Sequence, residues 1–253
     1  MDLVAHKICA ILGCVTGIII YSTHGVTIYK LYNNPDYIES TSAMGMFTTY
    51  LGSLLWMTTI ILLKFGSAQF QVYQIFFFYN LFGVFFNFCW NIIYVYYFTL
   101  GKGKFVRIVY YVALVNVTFE AIYFVYDGLN GKDNRFTIGG WIAGAFNILM
   151  YITPGFNIIR LFKEKNRDLI SLPMVILGLL NSGFWLAFAI LVQIQGSDDK
   201  TKTKTNNYHL IVANSCGMCL CIIQFVMYYS YKGKKPKPIS NIQPEVIEPY
   251  AFY

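Results

Sequence analysis

Long apolar stretches, separated by short polar and charged segments, dominate the pattern of residues along this chain. A helix that crosses the hydrocarbon core of a bilayer needs about 20 predominantly apolar residues. Seven stretches of the sequence meet this requirement. They are Ile8–Tyr29, Met44–Leu63, Gln71–Leu100, Phe105–Tyr126, Thr137–Leu161, Leu172–Ile194 and Tyr208–Tyr231. We therefore predict an all-α membrane protein with seven transmembrane helices.

An internal repeat relates the first three of these stretches to the last three. Thr23–Gly25, read Thr-His-Gly, corresponds to Thr153–Gly155, read Thr-Pro-Gly. Asn80–Gly83 corresponds in the same way to Asn214–Gly217. The spacing between matched positions stays nearly constant along the two copies, and their order is kept. Such a pattern indicates a duplication followed by divergence.

The unpaired span between the two copies fixes their relative orientation. Three crossings take the first copy across the membrane, and the span Phe105–Tyr126 brings the chain back, so both copies begin on the same side. We predict two parallel three-helix bundles joined by a linker helix, an arrangement whose substrate site lies near the midplane between the halves. The predicted divisions are 1–104 for the first bundle, 105–136 for the linker helix and its loop, 137–232 for the second bundle and 233–253 for a disordered cytoplasmic tail.

The composition agrees with a membrane location and sets the direction of insertion. The chain is 57% hydrophobic and only 12% charged, whereas soluble domains carry about 25% charged residues. With the N-terminus outside, the predicted inner loops and tail hold twelve Lys and Arg residues and the outer side holds seven. Since cytoplasmic loops retain positive charge, we expect an outside N-terminus and a cytoplasmic C-terminus. The net charge of +7 then indicates contact with anionic membrane lipids and no nucleic-acid partner.

Two symmetric pairs of side chains inside the apolar spans suggest a binding site. Asn80 and Asn214 are equivalent in the repeat, and so are Trp56 and Trp185. An amide offers two donor hydrogens and an acceptor without charge, which suits sugar hydroxyls. An indole packs on an apolar ring face while its N–H donates a hydrogen bond. Because both pairs recur, we favour a sugar cage between the halves over helix-joining asparagines and interfacial tryptophan anchors.

Four segments of the second copy form a further pattern in their order and spacing. They are Met150–Pro154, Lys165–Pro173, Phe184–Trp185 and Ala213–Gly217. Together they resemble the second bundle of the SWEET family of sugar transporters, and the family's three-one-three plan matches nearly the whole chain. The first copy retains Thr27, Trp56, Asn80 and Gly83 and departs elsewhere.

The resemblance implies a bidirectional sugar uniporter that moves mono- or disaccharides by alternating access. The family's sugar site corresponds here to Asn80, Asn214, Trp56 and Trp185. The sugar is thus the expected substrate partner, with the plasma membrane as the expected location. Sugar size, an internal membrane and a homo-oligomer are left open.

Two further symmetric pairs are predicted to border the same pocket. Gly52 and Asn181 lie one helical turn before each tryptophan and so share its helix face; in the family these positions border the cavity. Gly52 would leave room for a ligand, and Asn181 would add another amide. Ile20 and Met150 precede the Thr-x-Gly motifs and are expected to line the pocket as well.

Prolines predict where the helices bend. Proline removes a backbone hydrogen bond and kinks a helix, and the resemblance implies four such prolines, two in each bundle. Pro154 and Pro173 keep this form in the second copy, whereas His24 and Met44 replace it in the first. We therefore predict that the second bundle flexes more than the first.

Other reactive side chains indicate no catalytic role. His24 and Glu120 lie in apolar runs where a proton-coupled carrier would use them, but no ion-coupling chemistry recurs in both copies, which favours uniport. Cys216-x-x-Cys219-x-Cys221 has metal-like spacing without His or carboxylate partners nearby. We expect no enzyme activity, cofactor or metal; a carrier for another small metabolite and a seven-helix receptor stay as alternatives.

Overall fold

A computed structural model of the chain describes residues 3–33, 43–63, 68–98, 111, 113, 117–118, 135–164, 171–198 and 207–231. All secondary structure in these ranges is helical. The long helices are α1 (Leu3–Asn33), α2 (Ala43–Ile61), α3 (Ala68–Phe98), α4 (Arg135–Glu164), α5 (Leu172–Asp198) and α6 (Tyr208–Ser230). The predicted all-α fold is confirmed.

The six helices coincide with six of the seven predicted spans to within a few residues at each end. Four of them contain segments long and apolar enough to cross a membrane; the apolar parts of α2 and α4 are shorter, at Met46–Ile61 and Phe136–Tyr151. The predicted linker span lies almost wholly outside the described residues, as does the predicted tail. Within the linker, Val117 and Thr118 are helical, and the Thr118 hydroxyl lies 2.7 Å from the Tyr50 hydroxyl of α2.

The distribution of side chains is inverted relative to a soluble protein. Large apolar residues face outward: Phe85 is 64% exposed and Val15 is 50% exposed. Polar residues are buried instead, including Asn87, Ser182 and Asn207, each with no exposed surface. Because an apolar exterior suits lipid and buried polar groups suit helix contacts or a wet cavity, this arrangement fits a membrane protein.

The helices form a closed ring in the order α1, α3, α2, α4, α6, α5. Within each group of three, the third helix packs between the other two, while α1–α5 and α2–α4 contacts join the groups. The pattern is unchanged when α1, α2 and α3 are exchanged for α4, α5 and α6. Such exchange symmetry is expected of a duplicated three-helix unit.

A tyrosine that lies on a glycine holds the first and third helices of each group together. A Cβ atom added at Gly83 would lie 2.9 Å from Cε2 of Tyr21, and one at Gly217 would lie 2.5 Å from Cε2 of Tyr151. The Tyr21 hydroxyl also lies 3.0 Å from Ser53 Oγ on α2. We call each place where the tyrosine ring lies against the glycine backbone a notch, because a Cβ there would clash with the ring. Each Asn-x-x-Gly motif therefore places its asparagine one helical turn from a notch.

Candidate functional site

The ring of helices encloses a cavity of about 340 Å³ whose lining comes from all six helices. All eight residues predicted from the sequence to bind sugar line it. They are Ile20, Gly52, Trp56, Asn80, Met150, Asn181, Trp185 and Asn214. The structure thus brings together side chains from both copies of the repeat, although a role in sugar binding stays a prediction.

The two asparagines, each only 2% exposed, occupy equivalent places on α3 and α6. Asn80 Nδ2 donates to the Phe76 carbonyl at 2.7 Å, and Asn214 Nδ2 donates to the Leu210 carbonyl at 2.9 Å. This bond to the preceding helical turn fixes each side chain and uses one amide hydrogen. The second amide hydrogen and the amide oxygen can then serve a ligand in the cavity.

The two tryptophans belong to one aromatic layer at the end of the cavity. Both indoles contact the Phe76 ring, at centroid distances of 5.3 Å for Trp56 and 4.5 Å for Trp185. Trp185 also lies on the backbone of α1, because a Cβ at Gly13 would come within 2.7 Å of the indole. The indole N–H of Trp185 is buried without a partner among the described residues, so a free donor remains in this layer.

Asn181 and Gly52 differ in what they contribute to the lining. The Asn181 amide oxygen accepts a hydrogen bond of 3.1 Å from the Thr16 hydroxyl of α1, which links the two groups of helices. A Cβ at Gly52 would meet nothing within 4 Å, so this glycine leaves open space. Both observations agree with the prediction that Asn181 adds an amide to the pocket and that Gly52 leaves room for a ligand.

Beyond the aromatic layer the cavity is closed. Here the Tyr73 hydroxyl donates to the Asn207 amide oxygen, and the Asn207 backbone N–H donates to Gln193 Oε1 at 3.1 Å. Tyr73 also packs edge-on against Phe188 at 5.8 Å. We call this end, which holds the beginnings of α1, α3, α4 and α6, the closed end.

At the opposite end, which we call the open end, the lining reaches the surface. Ser171, just before α5, lines the cavity and is exposed. His24 on α1 and Gln224 on α6 line the cavity near the same end. A cavity closed on one side and lined to the surface on the other is one of the two states that alternating access requires.

Several lining residues were missed in the sequence. Tyr21 and Tyr151 match each other in the repeat, and this signal was available but carried no assigned role. Tyr79, Asn147 and Gln224 also line the cavity. Their repeat counterparts are different residue types, so a search for matching pairs passes over them.

The predicted hinge residues occupy two kinds of position. Pro154 lies inside α4, and His24 lies inside α1, which continues through it as a helix. Met44 and Pro173 lie in the first turns of α2 and α5, where a missing backbone N–H costs no intrahelical hydrogen bond. A hinge role for these four residues stays a prediction.

The remaining candidates add no chemistry to the site. Glu120 lies outside the described residues. Within the described ranges, no group of three His, Cys, Asp or Glu side chains could hold a metal ion. Of the last three cysteines only Cys221 lines the cavity, as a free thiol.

Three comparisons with known proteins agree with one another. Residues 137–196 match the family model described as "Sugar efflux transporter for intercellular exchange". The chain is 24% identical to bidirectional sugar transporter SWEET8 of Arabidopsis thaliana over 142 residues, which is 56% of this chain and 51% of that protein. This match therefore spans about half the length of the curated relative.

The fold has a solved counterpart as well. A structure of a eukaryotic SWEET transporter resembles this chain with a TM-score of 0.73 at 12% identity, covering 90% of this chain and 97% of that one. At this identity the likeness shows the fold alone. The family model and the curated relative agree with the resemblance to the SWEET family that the sequence motifs carry.

Proposed function

We propose that this chain, as a member of the SWEET family, is a bidirectional sugar uniporter that works by alternating access. The observation that carries this proposal is the pair Asn80 and Asn214, buried at equivalent places in a cavity that is closed at one end. Two uncharged amides held by backbone bonds suit a ligand rich in hydroxyl groups. The sugar transporters among the comparisons support the same assignment.

The sugar binds between the two asparagines and against the aromatic layer. The amide oxygen of each asparagine accepts a hydrogen bond from a ring hydroxyl. The amide hydrogen that does not bond the helix backbone donates to another. The apolar face of the sugar packs on the indole surfaces of Trp56 and Trp185. Ligand binding therefore replaces water at groups that are already oriented, which limits the entropy lost on binding.

The lining also supports uniport of an uncharged substrate. Among the described lining residues there is no Asp, Glu, Lys or Arg, and His24 is the one histidine there. A carrier for amino acids would need groups that bind an ammonium or a carboxylate. The sugar therefore moves down its own gradient without a coupled ion.

Transport requires that the closed end open while the open end closes. The two groups of helices meet along α1–α5 and α2–α4 and rock about these contacts. The hydrogen bond between Tyr73 and Asn207, which joins the groups at the closed end, breaks as they separate. With the outside N-terminus that the charge distribution favours, the present cavity faces the cytoplasm.

We further propose the plasma membrane as the location of the protein, with anionic lipids at its cytoplasmic face. The loops and tail on that side carry most of the Lys and Arg residues. A homo-oligomer is compatible with the apolar exterior of the ring. Cross-linking in native-like bilayers distinguishes a monomer from a trimer.

Uptake of labelled glucose and sucrose into liposomes that hold the purified protein tests the assignment of the asparagines. We expect Asn80→Ala and Asn214→Ala each to lower sugar flux about five- to 150-fold, because a lost partner to a buried polar ligand costs about 1–3 kcal/mol. Asn87→Ala is the matched control. Asn87 is equally buried on α3 and bonds the preceding turn at 2.7 Å, but it does not line the cavity.

Normal flux in both asparagine variants, with the protein inserted to the wild-type level, would overturn the site assignment. Equal loss in the Asn87 variant would mean that the effect is structural. Absence of flux for every sugar offered to the wild-type protein would overturn the proposed function itself.

A further inference from the structure

The cavity departs from its two-fold symmetry at one pair of repeat-related contacts. In the first copy, position 17 on α1 is glycine and position 79 on α3 is tyrosine. Their counterparts in the second copy are Asn147 on α4 and Ala213 on α6. The large residue is thus on the third helix in one copy and on the first helix in the other.

In the first copy the Tyr79 ring lies directly on the backbone of α1. A Cβ at Gly17 would fall 2.5 Å from Cε2 and 2.6 Å from Cζ of Tyr79. The ring also stacks on Tyr21, at a centroid distance of 5.3 Å and an interplanar angle of 13°, and lies 5.2 Å from the ring of Trp185. Because these neighbours hold it from several sides, the ring is a fixed part of the cavity wall beside Asn80.

In the second copy the equivalent space holds an amide. Asn147 lines the cavity, whereas Ala213 does not. Ala213 is 1% exposed, and its Cβ lies in ordinary contact distance, 3.6 Å, of a Cβ placed at Gly144. With Asn181 and Gln224, the second copy contributes three amides to the lining besides Asn214.

A ligand between Asn80 and Asn214 therefore meets two unlike walls. On the side of the first copy it meets the Tyr79 ring; on the side of the second copy it meets hydrogen-bonding amides. The cavity volume of about 340 Å³ lies near the lower end of the range of small-molecule pockets, about 300–1,000 Å³. A second sugar ring on the side of the first copy would need the volume that the Tyr79 ring fills.

We propose that Tyr79 is a specificity-determining residue, which restricts the site to monosaccharides and orients the sugar with its hydroxyl-rich edge toward the second copy. Gly17 is the residue that permits this role, because any side chain there would displace the ring. This inference rests on the proposed sugar transport and deepens it.

Competing flux of labelled glucose and sucrose in liposomes tests the proposal. For wild type we expect glucose to be strongly preferred. Tyr79→Ala opens the wall, so we expect the sucrose-to-glucose flux ratio to rise at least about tenfold. Tyr79→Phe keeps the ring and is expected to keep the wild-type ratio. Tyr79→Leu, which preserves more of the packing, serves as a second variant if the alanine protein does not fold.

The repeat supplies a second, substrate-independent test. Gly17→Asn alone should lower the melting temperature, because its side chain meets the Tyr79 ring. Gly17→Asn combined with Tyr79→Ala copies the arrangement of the second half and should restore that temperature toward the wild-type value. Additive losses in the double variant would show that positions 17 and 79 do not share one space, and would overturn the role given to Gly17.

The outcomes separate this inference from the proposed function. An unchanged flux ratio in both Tyr79→Ala and Tyr79→Leu, or a wild-type preference for sucrose, overturns the specificity role and leaves sugar transport standing. An equal change in Tyr79→Phe means that the hydroxyl, rather than the volume of the ring, sets the preference, and also overturns it. If wild type moves neither sugar, the proposed function fails, and the specificity role fails with it.

Discussion

Among single residues, glycine determines where the helices that carry the asparagines can lie. Gly83 and Gly217 each follow an asparagine by three positions and receive a tyrosine ring on their backbone. The fixed approach of these helices sets where Asn80 and Asn214 stand in the cavity. The Asn-x-x-Gly motif therefore combines a ligand group with the contact that positions it.

Substituting the glycine should impair transport while leaving the asparagine in place. Gly217→Ala would set a Cβ 2.5 Å from the Tyr151 ring, and overpacking of this kind costs about 1–3 kcal/mol. We expect a lower melting temperature and a raised KM for sugar, because α6 moves away from α4. The same assay on Gly83→Ala should give the same direction, with Tyr21 as the displaced ring.

Gly183→Ala is the matched control for these variants. A Cβ at Gly183 on α5 would meet nothing within 4 Å, and alanine is the better helix former by about 1 kcal/mol. We expect unchanged KM and unchanged or higher stability. If Gly217→Ala behaved like Gly183→Ala in both measurements, the notch would have no positioning role.

Among the helices, contacts between repeat-related partners hold the closed end together. Tyr73 and Asn207 are equivalent positions in the two copies, and they bond to each other across the ring. Two helical turns further along each helix stand Asn80 and Asn214. One pair of equivalent positions thus closes the cavity and the next pair faces its interior.

Removing the Tyr73 hydroxyl should shift the protein toward the state that is open at this end. A buried hydrogen bond contributes a net of about 0.5–1.5 kcal/mol, so Tyr73→Phe should raise the population of that state about two- to tenfold. Spin-label distances between the ends of α2 and α5, in a cysteine-free protein, measure the shift as a longer distance component.

Tyr96→Phe is the control on the same helix, since Tyr96 is 51% exposed and lies toward the open end of α3. It should leave the distance distribution unchanged. A distribution that is also unchanged in Tyr73→Phe would mean that the hydrogen bond does not hold the end closed and that the aromatic packing around Phe188 suffices.

For the molecule as a whole, the repeat made most of the architecture predictable. Apolar length located the six described helices, and matching residues in the two copies led to the two asparagines and two tryptophans of the lining. Helical spacing and the family resemblance supplied the other four lining positions. Because a lipid bilayer requires long apolar helices, the positions of the helices can be predicted directly from the apolar stretches of the sequence.

The contacts between unlike residues could not be predicted in this way. A repeat comparison finds positions where the copies agree, but Tyr73 with Asn207 and Tyr79 with Ala213 are positions where they differ. The structural role of such a residue depends on which helix its side chain contacts, as the contact of the Tyr79 ring with Gly17 illustrates. Phe76, which joins the two tryptophans into one layer, has leucine as its counterpart and was likewise missed.

Sugar movement in both directions without a coupled ion is the property on which the whole proposed function depends. Counterflow measures it: liposomes holding the protein are loaded with unlabelled glucose, and labelled glucose is added outside with no ion or pH gradient. We predict transient accumulation of label above its outside concentration in wild type and none in Asn80→Ala. Absence of such accumulation in wild type, or its dependence on an imposed proton gradient, would refute ion-independent uniport by this protein.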